Sequence, residues 1–227
     1  MAVRAFALHI EDKKMNLVQR VQDILLKPKA TWPTIDAEPA DAASLYKNYV
    51  MILALIPAVA GFIGLSVIGI GAFGVNFRVP VVSGLVNMVV GYVLSLVMVF
   101  VLALIIDALA PTFQGTKSQI GALKLSAYAS TASFLGGIFS LIPSLAIIGA
   151  LAALYGIYLI YVGLPVLMKC PADKALAYTA VVVVCAIVGG VVIAWVLSLL
   201  TPSPARVGAV PFEVRVVAVQ QMLPSRS

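Results

Sequence analysis

The sequence predicts an all-α fold: a polytopic membrane protein with five transmembrane helices in a bundle, preceded by a short amphipathic helix. Three observations predict it. Of 227 residues, 62% are hydrophobic by a count that omits 17 glycines, and only 11% are charged. Mean hydropathy is +1.09. A soluble domain is about 45–50% apolar and about 25% charged, so no soluble core buries this much apolar surface behind so few charges. Disorder is excluded by the same figures, because disordered chains are polar and charge-rich. The second observation is that the apolar residues gather into runs long enough to span a bilayer. The third is that the basic residues lie mostly to one side of those runs.

The first element is the amphipathic helix, Asn16 to Leu26. Helical spacing puts Leu17, Val21, Ile24 and Leu25 on one face, with Arg20, Gln22 and Asp23 turned away. Lys27-Pro28-Lys29 ends it, since proline disfavours helix in the residue before it. Two readings stand for the apolar face: burial in the cytoplasmic membrane interface, or packing against the bundle's own cytoplasmic ends. Trp32, in Thr31-Trp32-Pro33, is expected at the headgroup layer.

A spanning helix needs roughly 20 apolar residues to cross a hydrocarbon core about 30 Å thick. Five segments qualify: Tyr49–Gly74, Val81–Leu109, Leu125–Ile142, Ser144–Met168 and Leu176–Leu200. Pro57 and Pro165 fall inside helical runs, which bilayer helices tolerate when neighbours satisfy the freed carbonyls. The N-terminus does not read as a cleaved signal peptide, because the first long apolar run begins near Tyr49. After Leu200, Thr201-Pro202-Ser203-Pro204 breaks the last helix. The tail 201–227 is too short to fold alone and reads as disordered or non-native.

Orientation follows from Lys and Arg. Arg4, Lys13, Lys14, Arg20, Lys27, Lys29, Lys47, Lys117, Lys124, Lys169 and Lys174 fall on the N-terminal side of the spans, against Arg78, Arg206, Arg215 and Arg226 on the other. The positive-inside rule then makes the N-terminus cytoplasmic and, with five spans, puts the C-terminus outside. The net charge of +6 is thereby a matter of topology. There is no basic stripe interleaved with aromatics, so no nucleic-acid partner is expected.

Chemistry is sparse. The one histidine, His9, precedes every span and reads as solvated. There is no phosphate loop, GxSxG or HExxH, so no catalytic residue, cofactor or metal site is predicted. Gly69, Gly71 and Gly74 mimic a dinucleotide fingerprint, but inside a membrane span with no strand before them. Cys170 and Cys185 read as reduced, small apolar residues. Ionisable groups at mid-membrane mark ion and proton paths, and none lies at the centre of a span. Asp107 and Lys124 are expected to face each other across a cytoplasmic loop as an ion pair. Small residues recur at every fourth position, as in Ala129, Ser133 and Gly137, or Gly149 and Ala153. They let helices approach closely. Packing within the chain accounts for them, and a homo-oligomer is the second reading.

Two stretches carry a family likeness. One is Ala108-Leu-Ala-Pro-Thr-Phe-Gln-Gly-Thr-Lys117, leading into Ala122-Leu-Lys-Leu-Ser-Ala-Tyr-Ala129. The other is Tyr155-Gly-Ile-Tyr-Leu-Ile-Tyr-Val-Gly163, continuing to Lys174. With Met15 through Pro33, they resemble the bacterial branch of the Yip domain family. Its eukaryotic relatives are five-span Golgi and endoplasmic-reticulum proteins that interact with Rab-type GTPases. The likeness covers Met15 to Leu200, which makes 15–200 the membrane domain, leaves 1–14 as an extension outside it, and offers Met15 as an alternative start. Bacterial relatives tend to have two glycines after the Ala-Pro-x-Phe stretch, whereas the first position here is Gln114.

The resemblance implies a bacterial inner-membrane protein without known catalysis, and the Rab-binding role does not transfer. The reading is a non-enzymatic scaffold or organiser of protein or lipid partners, surrounded by the lipid bilayer. Structural or interaction candidates are Asp107, Pro111, Gly115, Lys124, Tyr155, Tyr158, Tyr161, Gly163, Pro165 and Pro171. The alternative is a small-solute transporter or channel, with Gly163, Pro165 and the three tyrosines lining a path.

Overall fold

A computed structural model describes residues 17–72, 75–142 and 145–200. His9, the extension and the tail lie outside the described residues. Two short helices open the chain: α1 (17–26) and α2 (Pro28–Ala37). Pro28 sits in the first turn of α2, where its missing N–H breaks no helical bond. Asp41 caps the next helix by accepting from the backbone N–H of Ser44 at 3.0 Å. Helix α3 then runs Ala42–Ile68. Wide π-type turns at Tyr46–Val50 and Ile63–Ile68 flank the α-helical segment Met51–Phe62, which contains Pro57.

Gly69, at φ 84, ends α3, and two three-residue strands, Ile70–Ala72 and Val75–Phe77, pair antiparallel. The sequence reading carried this helix on to Gly74; the positive φ at Gly69 stops it at Ile68, six residues earlier. Helix α4 spans Val81–Leu109, as expected, and a 3₁₀ turn at Ala110–Phe113 closes it. Helix α5 is Gln119–Gly136, with a 3₁₀ turn Gly137–Leu141 after it. Helix α6 is Ala146–Leu167, and α7 is Ala172–Leu200.

Among the described residues, four helices, α3, α4, α6 and α7, are long and apolar enough to cross a membrane, one fewer than the sequence reading expected. The difference is α5. It begins six residues before the expected Leu125, because the Ser118 hydroxyl caps it by accepting from Gly121 N–H at 3.1 Å. It carries Gln119, Lys124, Ser126, Ser130, Thr131 and Ser133, too many polar groups for a helix facing lipid. It has no need to face lipid. Most of its residues, from Gly121 to Ala127 without a break, are buried. Helix α5 lies antiparallel along α6, with Gly121 against Leu167 at one end and Gly136 against Ala152 and Gly149 at the other. Its hydroxyls are satisfied internally: Ser126 donates to Val99 O and Ser130 to Ser126 O, each at 2.7 Å.

The small residues on this seam meet within the chain, as Gly156 lies against the carbonyl of Ala129. Outward faces of α4 and α7, including Val89, Val93, Val184, Val188 and Val192, stay exposed as lipid-facing surface requires.

Candidate functional site

The long-range contacts of charged side chains gather at the end of the bundle where α1 and α2 fold back. In α2, Pro28, Thr31, Trp32 and Ile35 are buried, a stripe at helical spacing. Trp32 is fully buried, so it is a core residue and not the headgroup anchor expected from sequence. Its ring meets Tyr128 edge-on at 6.5 Å, and Tyr128 packs against Tyr49 at 4.6 Å. Gly163 makes room for it: a Cβ there would come within 2.8 Å of Trp32 Cε2 and 2.5 Å of Leu125 Cδ1.

Helix α1 lies against the bundle as well. Ile24 is buried, and Leu17, Val21 and Leu25 pack on the core, which decides between the two readings of its apolar face. Tyr155 donates to Leu25 O at 2.6 Å, and Thr31 donates to Asp23 O at 3.0 Å and Lys27 O at 2.8 Å. The first satisfies a carbonyl in the last turn of α1, and the second ties α2 to the end of α1.

Three cations then close on the C-terminal end of α2. Lys124, only 6% exposed, donates to Ile35 O at 2.7 Å, Glu38 O at 2.5 Å and Asp36 O at 3.5 Å. Arg20 of α1 pairs with Glu38, and Lys169 of the α6–α7 turn pairs with Asp36. The last carbonyls of a helix lack partners and carry partial negative charge, so this end of α2 is where cations are held. The expected Asp107–Lys124 ion pair does not form. Lys124 is committed to α2, and Asp107 Oδ1 accepts from the backbone N–H of Ser118 at 2.8 Å, which holds the start of α5 to α4.

The α4–α5 loop in turn rests on the α6–α7 turn. Thr116 N–H donates to Met168 O at 2.7 Å, and a Cβ on Gly115 would lie 2.8 Å from the same oxygen. Phe113 stacks on Tyr178 at 4.7 Å and 11°, and the Tyr178 hydroxyl donates to Ile106 O. Gln114 holds φ 59, a left-handed conformation that suits glycine. This is the position where the likeness had led one to expect glycine. Burial pushes the Cys170 thiol above its ordinary value of 9.0.

The candidates thus separate. Asp107, Gly115 and Pro171 join the loop-and-turn assembly, while Pro111 is exposed beside it. Lys124, Tyr155 and Gly163 hold the arm. Tyr158 and Tyr161 are 39% and 41% exposed on the outside of α6, and the Gly163 position is filled by Trp32 and Leu125. Sequence reasoning missed the core role of Trp32 and the carbonyl cage of Lys124; the signal for the first was the Pro28, Thr31, Trp32, Ile35 stripe. A polar cleft of about 470 Å³, lined by Arg20, Glu38, Ser44, Asn48 and Tyr49, opens beside the arm. No metal-binding cluster of three or more His, Cys, Asp or Glu occurs among the described residues.

The Yip1 domain model matches residues 23–196, from within α1 to near the end of α7. The chain belongs to the Yip1 family. Within the family it is similar to the inner membrane protein YohC of Escherichia coli K12, at 26% identity over 167 residues, which is 72% of this chain and 86% of that protein. YohC of Escherichia coli O6:H1 gives the same figures. No solved structure matches. This Yip1 domain is an integral membrane protein, and its match takes in α2, the whole of α5 and two of the three clasp cations, Lys124 and Lys169, but not Arg20.

Proposed function

We propose that this Yip1 protein is a non-enzymatic scaffold of the bacterial inner membrane that organises protein or lipid partners through the face built by α1, α2, the α4–α5 loop and the α6–α7 turn. One observation carries the reading: the N-terminal arm is fixed to the bundle by Trp32, Tyr155 and the three-cation clasp. A face held this way costs little ordering entropy when a partner binds. Lys27, Lys29, Lys47, Lys117, Lys169 and Lys174 are exposed around it, which suits an acidic protein surface or anionic headgroups.

The charge distribution supports a cytoplasmic position for this face. Counting the enclosed helix α5 as a crossing puts the C-terminus on the opposite side. The residue candidates belong to this reading as structural members: Asp107, Gly115, Lys124, Tyr155, Gly163 and Pro171 hold the face, while Pro111, Tyr158 and Tyr161 lie on its margin. Pro165 lies within α6, in its last turn before that face.

The test is crosslinking in cells at native expression, followed by purification of the tagged protein. A partner recovered reproducibly, and lost when Lys27, Lys29, Lys117 and Lys174 are changed to Gln, is the expected result. No reproducible partner, with the protein present at normal level, counts against the reading. Cysteine-accessibility labelling at Lys117→Cys and Arg78→Cys checks the orientation, with only the second labelled from outside.

A further inference from the structure

We propose that the groove between α3, α4 and α7 holds one acyl chain of a bilayer lipid, drawn from the leaflet at the hairpin end of the bundle, with the Ser66 hydroxyl donating to an ester oxygen at the top of that chain. This goes beyond the scaffold reading and stands without it, since it uses the opposite end of the molecule and requires only membrane insertion.

The groove has a volume of about 520 Å³, within the range of small-ligand pockets. Its walls are mostly apolar and small, and the space is real at the helix backbone: a Cβ added to Gly61 would meet nothing within 4 Å. It begins beside Ser66 and Val79, next to the hairpin, and ends at Ala54 and Ser95. From Ala54 to Ser66 the helix advances about 18 Å at 1.5 Å per residue. That is a little over half of a hydrocarbon core about 30 Å thick. The groove is therefore as deep as one leaflet.

Beyond it, α3 and α4 are joined by Tyr92 donating to Met51 O at 3.1 Å and Tyr46 donating to Leu96 O at 3.0 Å. A path for a solute would continue through this seam; a space for a chain that enters from one leaflet ends at it. At the hairpin end, Ser66 is only 7% exposed, and its Oγ has no hydrogen-bond partner among the described residues. A buried hydroxyl in that state carries an uncompensated desolvation cost. Gly84 keeps its space clear, since a Cβ there would lie 2.0 Å from Ser66 Oγ. A hydroxyl donor at one end of the groove and apolar walls along the rest match the ester oxygen and the hydrocarbon of a lipid chain. A water-soluble ligand would meet a largely apolar wall instead.

The experiment uses the full-length protein in vesicles of phosphatidylethanolamine and phosphatidylglycerol. A trace phospholipid carries a photoactivatable diazirine midway along one chain. After irradiation, adducts are mapped by mass spectrometry. Adducts are expected to concentrate on the 54–66 and 91–95 segments, above the outward residues Val184, Val188 and Val192 of α7, which ordinary lipid touches. Gly61→Leu fills the groove and is expected to remove those adducts while leaving the α7 adducts. Ser66→Ala keeps the space and removes one neutral hydrogen bond, for a loss of about threefold to tenfold. The two variants act independently, so poor folding of one leaves the other decisive. Equal labelling of groove and α7, insensitivity to Gly61→Leu in a well-folded sample, or a groove blocked by crosslinks to a second copy of the chain would overturn the proposal.

Discussion

Replacing Lys124 with Met keeps the unbranched apolar stem of the side chain and removes the ammonium that holds α2. The folded state then has carbonyls at Ile35 and Glu38 short of a donor. Ile35 is fully buried, and an unsatisfied buried carbonyl costs about 1–3 kcal/mol. Glu38 is half-buried, so water replaces much of what it loses. Removing a cation from the negative end of α2 costs about 0.3–1 kcal/mol more. The substitution also relieves the desolvation of a buried ammonium, which offsets part of this. A net cost of about 1–3 kcal/mol is expected to fall on the docking of α2, raising its undocked population about 5- to 150-fold at tenfold per 1.4 kcal/mol.

Trp32 reports the event. The chain has two tryptophans, and Trp195 is 61% exposed on α7, so a Trp195→Phe background leaves Trp32 as the only indole. In that background, Lys124→Met is expected to red-shift the emission, increase acrylamide quenching, and raise amide hydrogen exchange across Pro28–Ala37. The reasoning is refuted if α2 exchange and Trp32 quenching both stay within about twofold of the parent, since 1 kcal/mol corresponds to about fivefold.

Gly163→Ala is expected to destabilise by about 1–3 kcal/mol through overpacking against Trp32 and Leu125, read as a lower melting temperature in detergent. Gln114→Gly relieves a left-handed residue at φ 59 and is expected to stabilise by up to about 1 kcal/mol in the same assay. Cys170, 4% exposed with its thiol pushed up by burial, is expected to react with maleimide far more slowly at neutral pH than in unfolded protein. Because its folded value is the raised one, its contribution to stability is present below the ordinary value and is lost as pH rises through the folded one. The Ser44 hydrogen bonds hold the Asp41 carboxyl below its ordinary 3.8. That cap therefore stabilises above the ordinary value and is lost as pH falls through the lowered one. Asp41→Ala is expected to make acid unfolding less steep there, measured by circular dichroism.

Helix α4 was legible to the residue because a continuous apolar run has only one economical reading in a bilayer, and α6 was legible for the same reason. Helix α5 was not. Its polar residues pulled the expected start towards Leu125, where the apolar run begins, although a helix enclosed by protein can carry Ser126, Thr131 and even Lys124 once each finds a partner. Those partners, Val99 O, Tyr49 Oη and the carbonyls of α2, come from elements far away in sequence, and no local pattern announces them. The same gap misplaced Trp32. An indole near a membrane boundary reads as an interfacial anchor, and only the absence of a side chain at Gly163, 131 positions later, shows where the ring goes. The positive-inside count and the loop likeness drew attention to the end of the molecule where the arm docks. Which residues pair within it depended on tertiary contacts.

The arm is synthesised before the residues that seat it. Asp36 waits for Lys169, 133 residues later, and Lys124 arrives 89 residues after Ile35. At about 5–20 residues per second, α2 spends several seconds to about half a minute off the ribosome with no binding surface for Trp32. During that interval its apolar stripe is open to chaperones, to the membrane surface or to another chain. Arm docking is consequently a late step of biogenesis, and a protease that cuts between α1 and α3 would distinguish a finished molecule from one still being made.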